Sequence, residues 1–259
     1  MEPPTELPRP RRRAEVLIFV LPNLFTTANL FFGFFSILSA IKGNWTSAAV
    51  AIMVSAFTDG LDGRVARMTK TQTAFGEQYD SMSDLVSFGV APAVLMYQWA
   101  LAPYGRLAWC VAFMYLACAA LRLARFNVLK QSTEKRYFQG CPSPIAACAV
   151  GSAVLFYQEM GFEAWKSLYM LIVMAVLGAA MISMVRYRSF KDFSLGSQRG
   201  FAYLVLIVAA FVLFSTFPEK LLFPVFISYV FAGLFFEIWR FMRRRLRPRR
   251  FLTRNKAQP

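Results

Sequence analysis

Eight apolar runs, each about as long as a membrane is thick, constrain this chain more than any other feature. They cover residues 21–41, 46–66, 80–102, 107–126, 144–160, 165–185, 200–217 and 221–241. A helix needs about 20 apolar residues to cross the hydrocarbon core of a bilayer. In lipid, only helices and closed barrels satisfy their own backbone hydrogen bonds. We therefore expect an all-α fold, a polytopic integral membrane helical bundle with about eight transmembrane helices.

Positive charge is distributed unevenly between the two ends of these runs. If the amino terminus is cytoplasmic, 25 of the 29 Lys and Arg residues fall on the cytoplasmic side. Because cytoplasmic loops are enriched in Lys and Arg, both termini are predicted to be cytoplasmic. The predicted organisation is a disordered basic tail (1–15), a transmembrane domain (16–242) and a second basic tail (243–259). The net charge of +15 then indicates attraction to anionic membrane lipids, and we expect no nucleic-acid partner.

Four of the five aspartates lie within one short stretch, inside or beside two of the apolar runs. They are Asp59, Asp62, Asp80 and Asp84. Each pair is one helical turn apart, so two neighbouring helices could face the pairs at each other. Carboxylates at membrane depth need a partner, and oxygen ligands suit Mg²⁺ or Mn²⁺. The pattern predicts a divalent-metal site of four carboxylates; the alternative is buried ion pairing with Arg64 and Arg67.

Residues beside the aspartates fit a ligand that carries phosphate. Gly63 and Ala66 lie on the same helical stripe as Asp59 and leave room for phosphates to approach the backbone. Arg67 offers a planar guanidinium to phosphate oxygens. The chain contains no His, so proton transfer would fall to a carboxylate or another group.

The aspartate stretch reads D-x-x-D-G-x-x-A-R, then eight residues, then G-x-x-x-D-x-x-x-D. It resembles the signature of the CDP-alcohol phosphatidyltransferases, with every fixed position filled. The resemblance implies an integral membrane enzyme that displaces CMP from a CDP-linked lipid. It also implies a homodimer, which we expect in the bacterial inner membrane. The distribution of Lys and Arg places the aspartates, and with them the active site, on the cytoplasmic side. All four aspartates would be metal ligands, and Asp84 would also be the catalytic base.

The first apolar run opens with L-P-N-L-F-T, which is similar to a family element that contacts CDP. From the residues alone, Asn23 and Thr26 could instead be helix caps. The resemblance implies that CDP is bound by Pro22, Asn23, Thr26, Asp59, Gly63, Ala66, Arg67, Thr73 and Gly76.

Two later motifs, R-L-A-R-F-N (122–127) and G-C-P-S-P (140–144), resemble the phosphatidylserine synthase branch of the family. That branch implies transfer of a phosphatidyl group from CDP-diacylglycerol to L-serine. Serine would be bound by Arg122, Arg125, Asn127 and Ser143, with Arg125 more important than Arg122. Alternatively, the arginines only anchor a helix end at the headgroups. Two other functions stay open: the same chemistry with glycerol 3-phosphate or an inositol phosphate, and divalent-cation transport.

Overall fold

The computed structural model describes residues 13–69, 73–130, 138–161, 168–183, 186–187 and 218–246. The helices are α1 (Arg13–Ile41), α2 (Trp45–Thr69), α3 (Ala74–Tyr104), α4 (Arg106–Lys130), α5 (Ser143–Glu159), α6 (Leu168–Ile182) and α7 (Pro218–Leu246). Two short strands, β1 (Phe138–Gln139) and β2 (Arg186–Tyr187), pair antiparallel. Apart from this pair, the regular structure of the described residues is helical, as predicted.

Within the described residues, three helices are long and apolar enough to cross a membrane: Asn23–Ile41, Ala74–Tyr104 and Arg106–Val128. Two further apolar helices, Leu168–Ile182 and Lys220–Gly233, are shorter. This composition indicates a helical membrane protein. The number of eight spans and the cytoplasmic position of the termini stay predictions, and the run 200–217 lies outside the described residues.

Several helix ends differ from those that the apolar runs predict. Helix α1 begins at Arg13, inside the predicted tail 1–15, and α7 continues into the predicted tail 243–259. The rest of those tails, residues 1–12 and 247–259, lies outside the described residues. Helix α3 begins at Ala74, well before the predicted start at residue 80. A hydropathy pattern misses such ends because polar turns can extend a helix beyond the apolar run.

Helix α3 changes its winding directly after Asp84. It is α-helical over Ala74–Asp84, π-helical over Leu85–Val90, α-helical over Ala91–Met96, π-helical over Tyr97–Leu101 and 3₁₀-helical over Ala102–Tyr104. In the first wide turn, the backbone N–H of Ala91 donates to the carbonyl of Val86. π-Helical turns are rare in proteins, and many of those that occur lie at functional sites.

Small residues let the helices approach closely around the aspartates. A Cβ on Gly33 of α1 would collide with Ser87 of α3. A Cβ on Gly151 of α5 would lie 3.1 Å from the backbone oxygen of Ala49 in α2. In membranes, glycine at such positions allows two backbones to pack against each other. The sequence thereby brings α1 against α3 and α2 against α5.

The apolar core of the molecule consists of two clusters of buried side chains. The larger cluster joins α4, α5 and α6 to parts of α3 and α7 and includes the fully buried side chains Tyr115, Val150, Met170, Met174 and Leu177. A smaller cluster joins α1, α2, α3 and α5 through Ala40, Ile52, Phe88, Leu95 and Val154. These two clusters pack together the helices that also carry the polar residues.

Candidate active site

Three carboxylates from two helices meet at one point. Asp59 of α2 and Asp80 and Asp84 of α3 each offer an oxygen, and these oxygens lie within 4.8 Å of one another. The three side chains are at least partly buried. Like charges this close disfavour one another unless a cation offsets them. An all-oxygen donor set of this kind fits a hard divalent cation such as Mg²⁺ or Mn²⁺.

The fourth aspartate, Asp62, lies next to this cluster. It is 6% exposed, and it accepts a hydrogen bond from the hydroxyl of Thr26 in α1. It lies close enough to Asp59 for the two charges to interact. The backbone oxygen of Thr26 accepts a further hydrogen bond, 3.1 Å long, from Ser83 of α3. Thr26 therefore connects α1 to both helices that carry aspartates.

The expected CDP-binding residues Asn23, Thr73 and Gly76 lie together where α1 meets the start of α3. The hydroxyl of Thr73 caps α3 by accepting a 3.0 Å hydrogen bond from the backbone N–H of Gly76. A Cβ on Gly76 would lie 3.5 Å from Oδ1 of Asn23, so glycine leaves this space open. Helix α1 begins at Arg13, well before Asn23 and Thr26. Their alternative interpretation as caps of the first helix is therefore wrong.

The remaining residues of the expected CDP site lie in α1 and α2. Gly63 is exposed on α2. Pro22 of α1 and Ala66 and Arg67 of α2 have described backbones, and their side chains lie outside the described part of the structure. Their roles stay predictions.

Arg122 of α4 lies near the carboxylates. Its charge interacts with those of Asp59 and Asp84, and its Nη1 donates a 2.7 Å hydrogen bond to Ser143 at the start of α5. Its buried Nε has no hydrogen-bond partner among the described residues. A buried guanidinium N–H without a partner is costly. An anionic ligand atom would satisfy it.

The other two expected acceptor residues contact neighbouring helices. Nη1 of Arg125 lies 3.5 Å from the carbonyl oxygen of Ile182, at the end of α6. Nδ2 of Asn127 donates a 2.9 Å hydrogen bond to the hydroxyl of Ser81 in α3. The structure thus places Arg122 beside the carboxylates, and it shows Arg125 and Asn127 in contacts between helices.

Sequence reasoning missed Asn29 and Ser55, which complete the polar centre of the bundle. Nδ2 of Asn29 donates a 3.1 Å hydrogen bond to Oδ1 of Asp84. The hydroxyl of Ser55 donates to Oδ1 of Asn29. Both residues are fully buried. The available signal was an asparagine one helical turn after Thr26, inside an apolar run where an amide needs a partner.

Comparison with known proteins agrees with this arrangement. A family model for CDP-alcohol phosphatidyltransferases matches residues 19–185. A CDP-diacylglycerol–serine O-phosphatidyltransferase of Helicobacter pylori (strain ATCC 700392 / 26695) is 34% identical over 196 residues, which are 75% of this chain and 83% of that protein. A protein of the same name from Mycobacterium leprae is 36% identical over 185 residues, 69% of this chain and 60% of its own.

An archaeal relative extends the comparison. The archaetidylserine synthase of Methanothermobacter thermautotrophicus is 37% identical over 171 residues, which are 64% of this chain and 69% of that protein. The region that the family model matches contains all four clustered aspartates, together with Asn29 and Arg122. The chain belongs to the CDP-alcohol phosphatidyltransferase family.

Proposed function

We propose that this protein transfers the phosphatidyl group of CDP-diacylglycerol to the hydroxyl of L-serine and releases CMP. The observation that carries the proposal is a cluster of three carboxylates beside a buried arginine whose Nε lacks a partner among the described residues. The relatives from H. pylori and M. leprae are named for the same donor and acceptor. The archaeal relative is named for a serine-containing product.

The donor half of the site consists of the carboxylates and the polar ends of α1 and α3. Asp59, Asp80 and Asp84, with Asp62 beside them, would hold Mg²⁺ or Mn²⁺. When bound, the ion would offset the negative charge of the pyrophosphate and of the leaving CMP. Asn23, Thr73 and Gly76 would contact the CDP group, and Arg67 would bind a phosphate oxygen.

The acceptor half lies between Asp84 and Arg122. Serine's carboxylate would pair with the guanidinium of Arg122, which Ser143 holds in place through the 2.7 Å hydrogen bond. Serine's hydroxyl oxygen would form the new bond to phosphorus as the bond from phosphorus to the CMP oxygen breaks. Asp84 would accept the hydroxyl proton. Phosphoryl-type transfer depends mainly on positioning and charge stabilisation, which these residues would supply.

We also propose a homodimer in the bacterial inner membrane, with this site on the cytoplasmic side. The excess of Lys and Arg at alternate ends of the apolar runs supports the orientation. The family resemblance supports the dimer. Membrane lipids would surround the exposed apolar side chains, of which Phe31, Trp109 and Phe113 are examples.

The direct test mixes the purified protein in lipid vesicles with CDP-diacylglycerol, Mg²⁺ or Mn²⁺, and radiolabelled serine. We expect lipid-soluble label and free CMP in equal amounts. Parallel reactions contain glycerol 3-phosphate or an inositol phosphate in place of serine. If CMP is released only with one of these compounds, that compound replaces serine as the proposed acceptor. Metal uptake by the vesicles without CMP release from any mixture would instead support a cation transporter.

A further inference from the structure

Asn29 occupies the centre of the contact between α1, α2 and α3. Its side chain is fully buried, and its Nδ2 lies 3.1 Å from Oδ1 of Asp84. A buried amide in this position is costly unless its hydrogen bonds are made. Asn29 therefore bonds directly to the carboxylate that the proposed function assigns to proton transfer.

The orientation of this amide is fixed by the groups around it. An ionised carboxylate only accepts hydrogen bonds, so the NH₂ group of Asn29 must face Asp84. The opposite side of the amide accepts from the hydroxyl of Ser55 in α2. The backbone oxygen of Asn29 accepts a 3.0 Å hydrogen bond from Ser87 of α3. A rotated amide would place its oxygen against the carboxylate, and neither of these two groups could donate a hydrogen bond to the other.

The distance between Asn29 and Asp84 is set by the close approach of α1 and α3. Gly33 lies one turn beyond Asn29, and any side chain there would collide with Ser87. Ser83 and Ser87 both donate to backbone oxygens of α1. These contacts lie on either side of Asp84 in α3, so they hold its backbone while Asn29 holds its carboxylate.

We propose that Asn29 is a positioning residue that keeps the carboxylate of Asp84 in the orientation needed to accept the acceptor's proton, with Ser55 fixing the amide of Asn29. The inference rests on the proposed function, in which Asp84 is the base. The hydrogen bond to Oδ1 restricts rotation of the carboxylate, so that the proton-accepting oxygen stays in one place. Small displacements of a reacting group can cost as much as about 10²-fold in rate.

The test compares Asn29→Ala and Ser55→Ala with Ser36→Ala as a matched control. Ser36 is also fully buried and joins α1 to α2, through a 2.8 Å hydrogen bond to the carbonyl of Ala48, in no described contact with Asp84. We expect Asn29→Ala to lower kcat about 10- to 100-fold. Ser55→Ala should lower it roughly 3- to 10-fold, and Ser36→Ala less than about 2-fold. The KM for each substrate should change less than about 3-fold.

A second comparison separates positioning from folding. Adding Asn29→Ala to an Asp84→Asn protein should not lower the residual rate further, because the group that Asn29 orients has already been changed. The inference would be overturned if Ser55→Ala and Ser36→Ala lower kcat equally, or if Asn29→Ala has a normal kcat. If Asn29→Ala does not fold, the pair of serine variants decides by itself.

The acceptor is determined beforehand with the unaltered protein. If that protein uses glycerol 3-phosphate and not serine, the proposed function fails in its acceptor, and the variants are compared with glycerol 3-phosphate. The Asn29 inference fails by a different result: the variants then show full turnover with whichever acceptor the unaltered protein uses.

Discussion

The two halves of this bundle are held together by different chemistry. Around Asp84, where α1, α2 and α3 meet, buried hydroxyl and amide groups such as those of Ser55, Ser83 and Asn29 form hydrogen bonds between the helices. Around Tyr115, where α4 and α6 meet, the contacts are mainly apolar, with Met174 and Leu177 packed in the same cluster. The hydrogen bonds in the first region fix the orientation of side chains, whereas the apolar side chains in the second region fill the interior between the helices.

This difference indicates where function is placed and where stability comes from. Hydrogen bonds have preferred angles and distances, so they can hold a reacting group in a set orientation. Dispersion contacts are weak individually and large in sum, and burial of apolar surface has no preferred direction. The carboxylate cluster itself is unfavourable without a cation, so the polar half must be supported by the rest of the bundle. Natural proteins often give up stability at active sites in this way.

The largest expected effect is on the polar half. Asp59→Asn should lower turnover roughly 10³-fold or more, because it removes one of the carboxylates that would hold the ion. The protein should still insert and fold, since the substitution reduces repulsion between like charges. Turnover is measured at saturating metal, and folding by thermal unfolding in detergent. Full turnover in this variant, or in the unaltered protein with excess chelator, would contradict a metal site.

An intermediate effect is expected at the boundary between the halves, where two arginines one turn apart differ in their contacts. Arg122→Lys should raise the KM for serine about 10- to 100-fold, because Lys cannot reproduce a planar fork for a carboxylate. Arg125→Lys should raise the KM for serine less than about 3-fold, because Lys keeps a hydrogen-bond donor near Ile182. From the contact of Arg122 with Ser143 we therefore propose a larger effect for Arg122 than for Arg125, whereas the sequence led us to expect the larger effect for Arg125.

Michaelis constants for both substrates in the two Lys variants decide this point. The KM for CDP-diacylglycerol should change little in either. An unchanged serine KM in Arg122→Lys would remove Arg122 from the acceptor site and leave it the anchoring role.

The smallest effect on turnover is expected in the apolar half. Met174 is fully buried in the cluster that joins α4, α5 and α6. Met174→Ala should lower the free energy of unfolding by about 2–5 kcal/mol, because it leaves a cavity. The turnover of the folded fraction should stay within about 2-fold of normal, since the residue has no polar contact with the site. A large loss of kcat without loss of stability would show that the halves are coupled.

The sequence predicted those parts of the site that depend on local spacing. Asp80 and Asp84 are one turn apart on one helix, so their shared face follows from helical geometry alone. The partner of Asp84 could not be predicted in this way, because Asn29 lies in a distant helix. Which face of α1 meets α3 depends on the tertiary packing at Gly33 and Ser87.

The helix ends and the winding of α3 were also beyond the sequence pattern. Arg13 lies outside the apolar run, yet the helix that contains the run begins there. The π-helical turn over Leu85–Val90 has the sequence L-V-S-F-G-V, and each of these residue types also occurs in α-helices. An apolar run indicates that a helix is present, and the packing around it decides how tightly each turn is wound.

The wide turn after Asp84 also divides α3 into two parts whose side chains are rotated relative to each other about the helix axis. An α-helix advances by about 100° per residue, and a π-turn takes up an additional residue without lengthening the helix by a full step. The carboxylates on one side of Leu85–Val90 are therefore out of phase with the side chains that pack beyond it, Leu95 and Met96. Deletion of one residue from this turn would align the two parts of α3 and would turn the aspartates away from α2. The additional residue in this turn thus sets the rotation of the aspartates relative to the rest of α3.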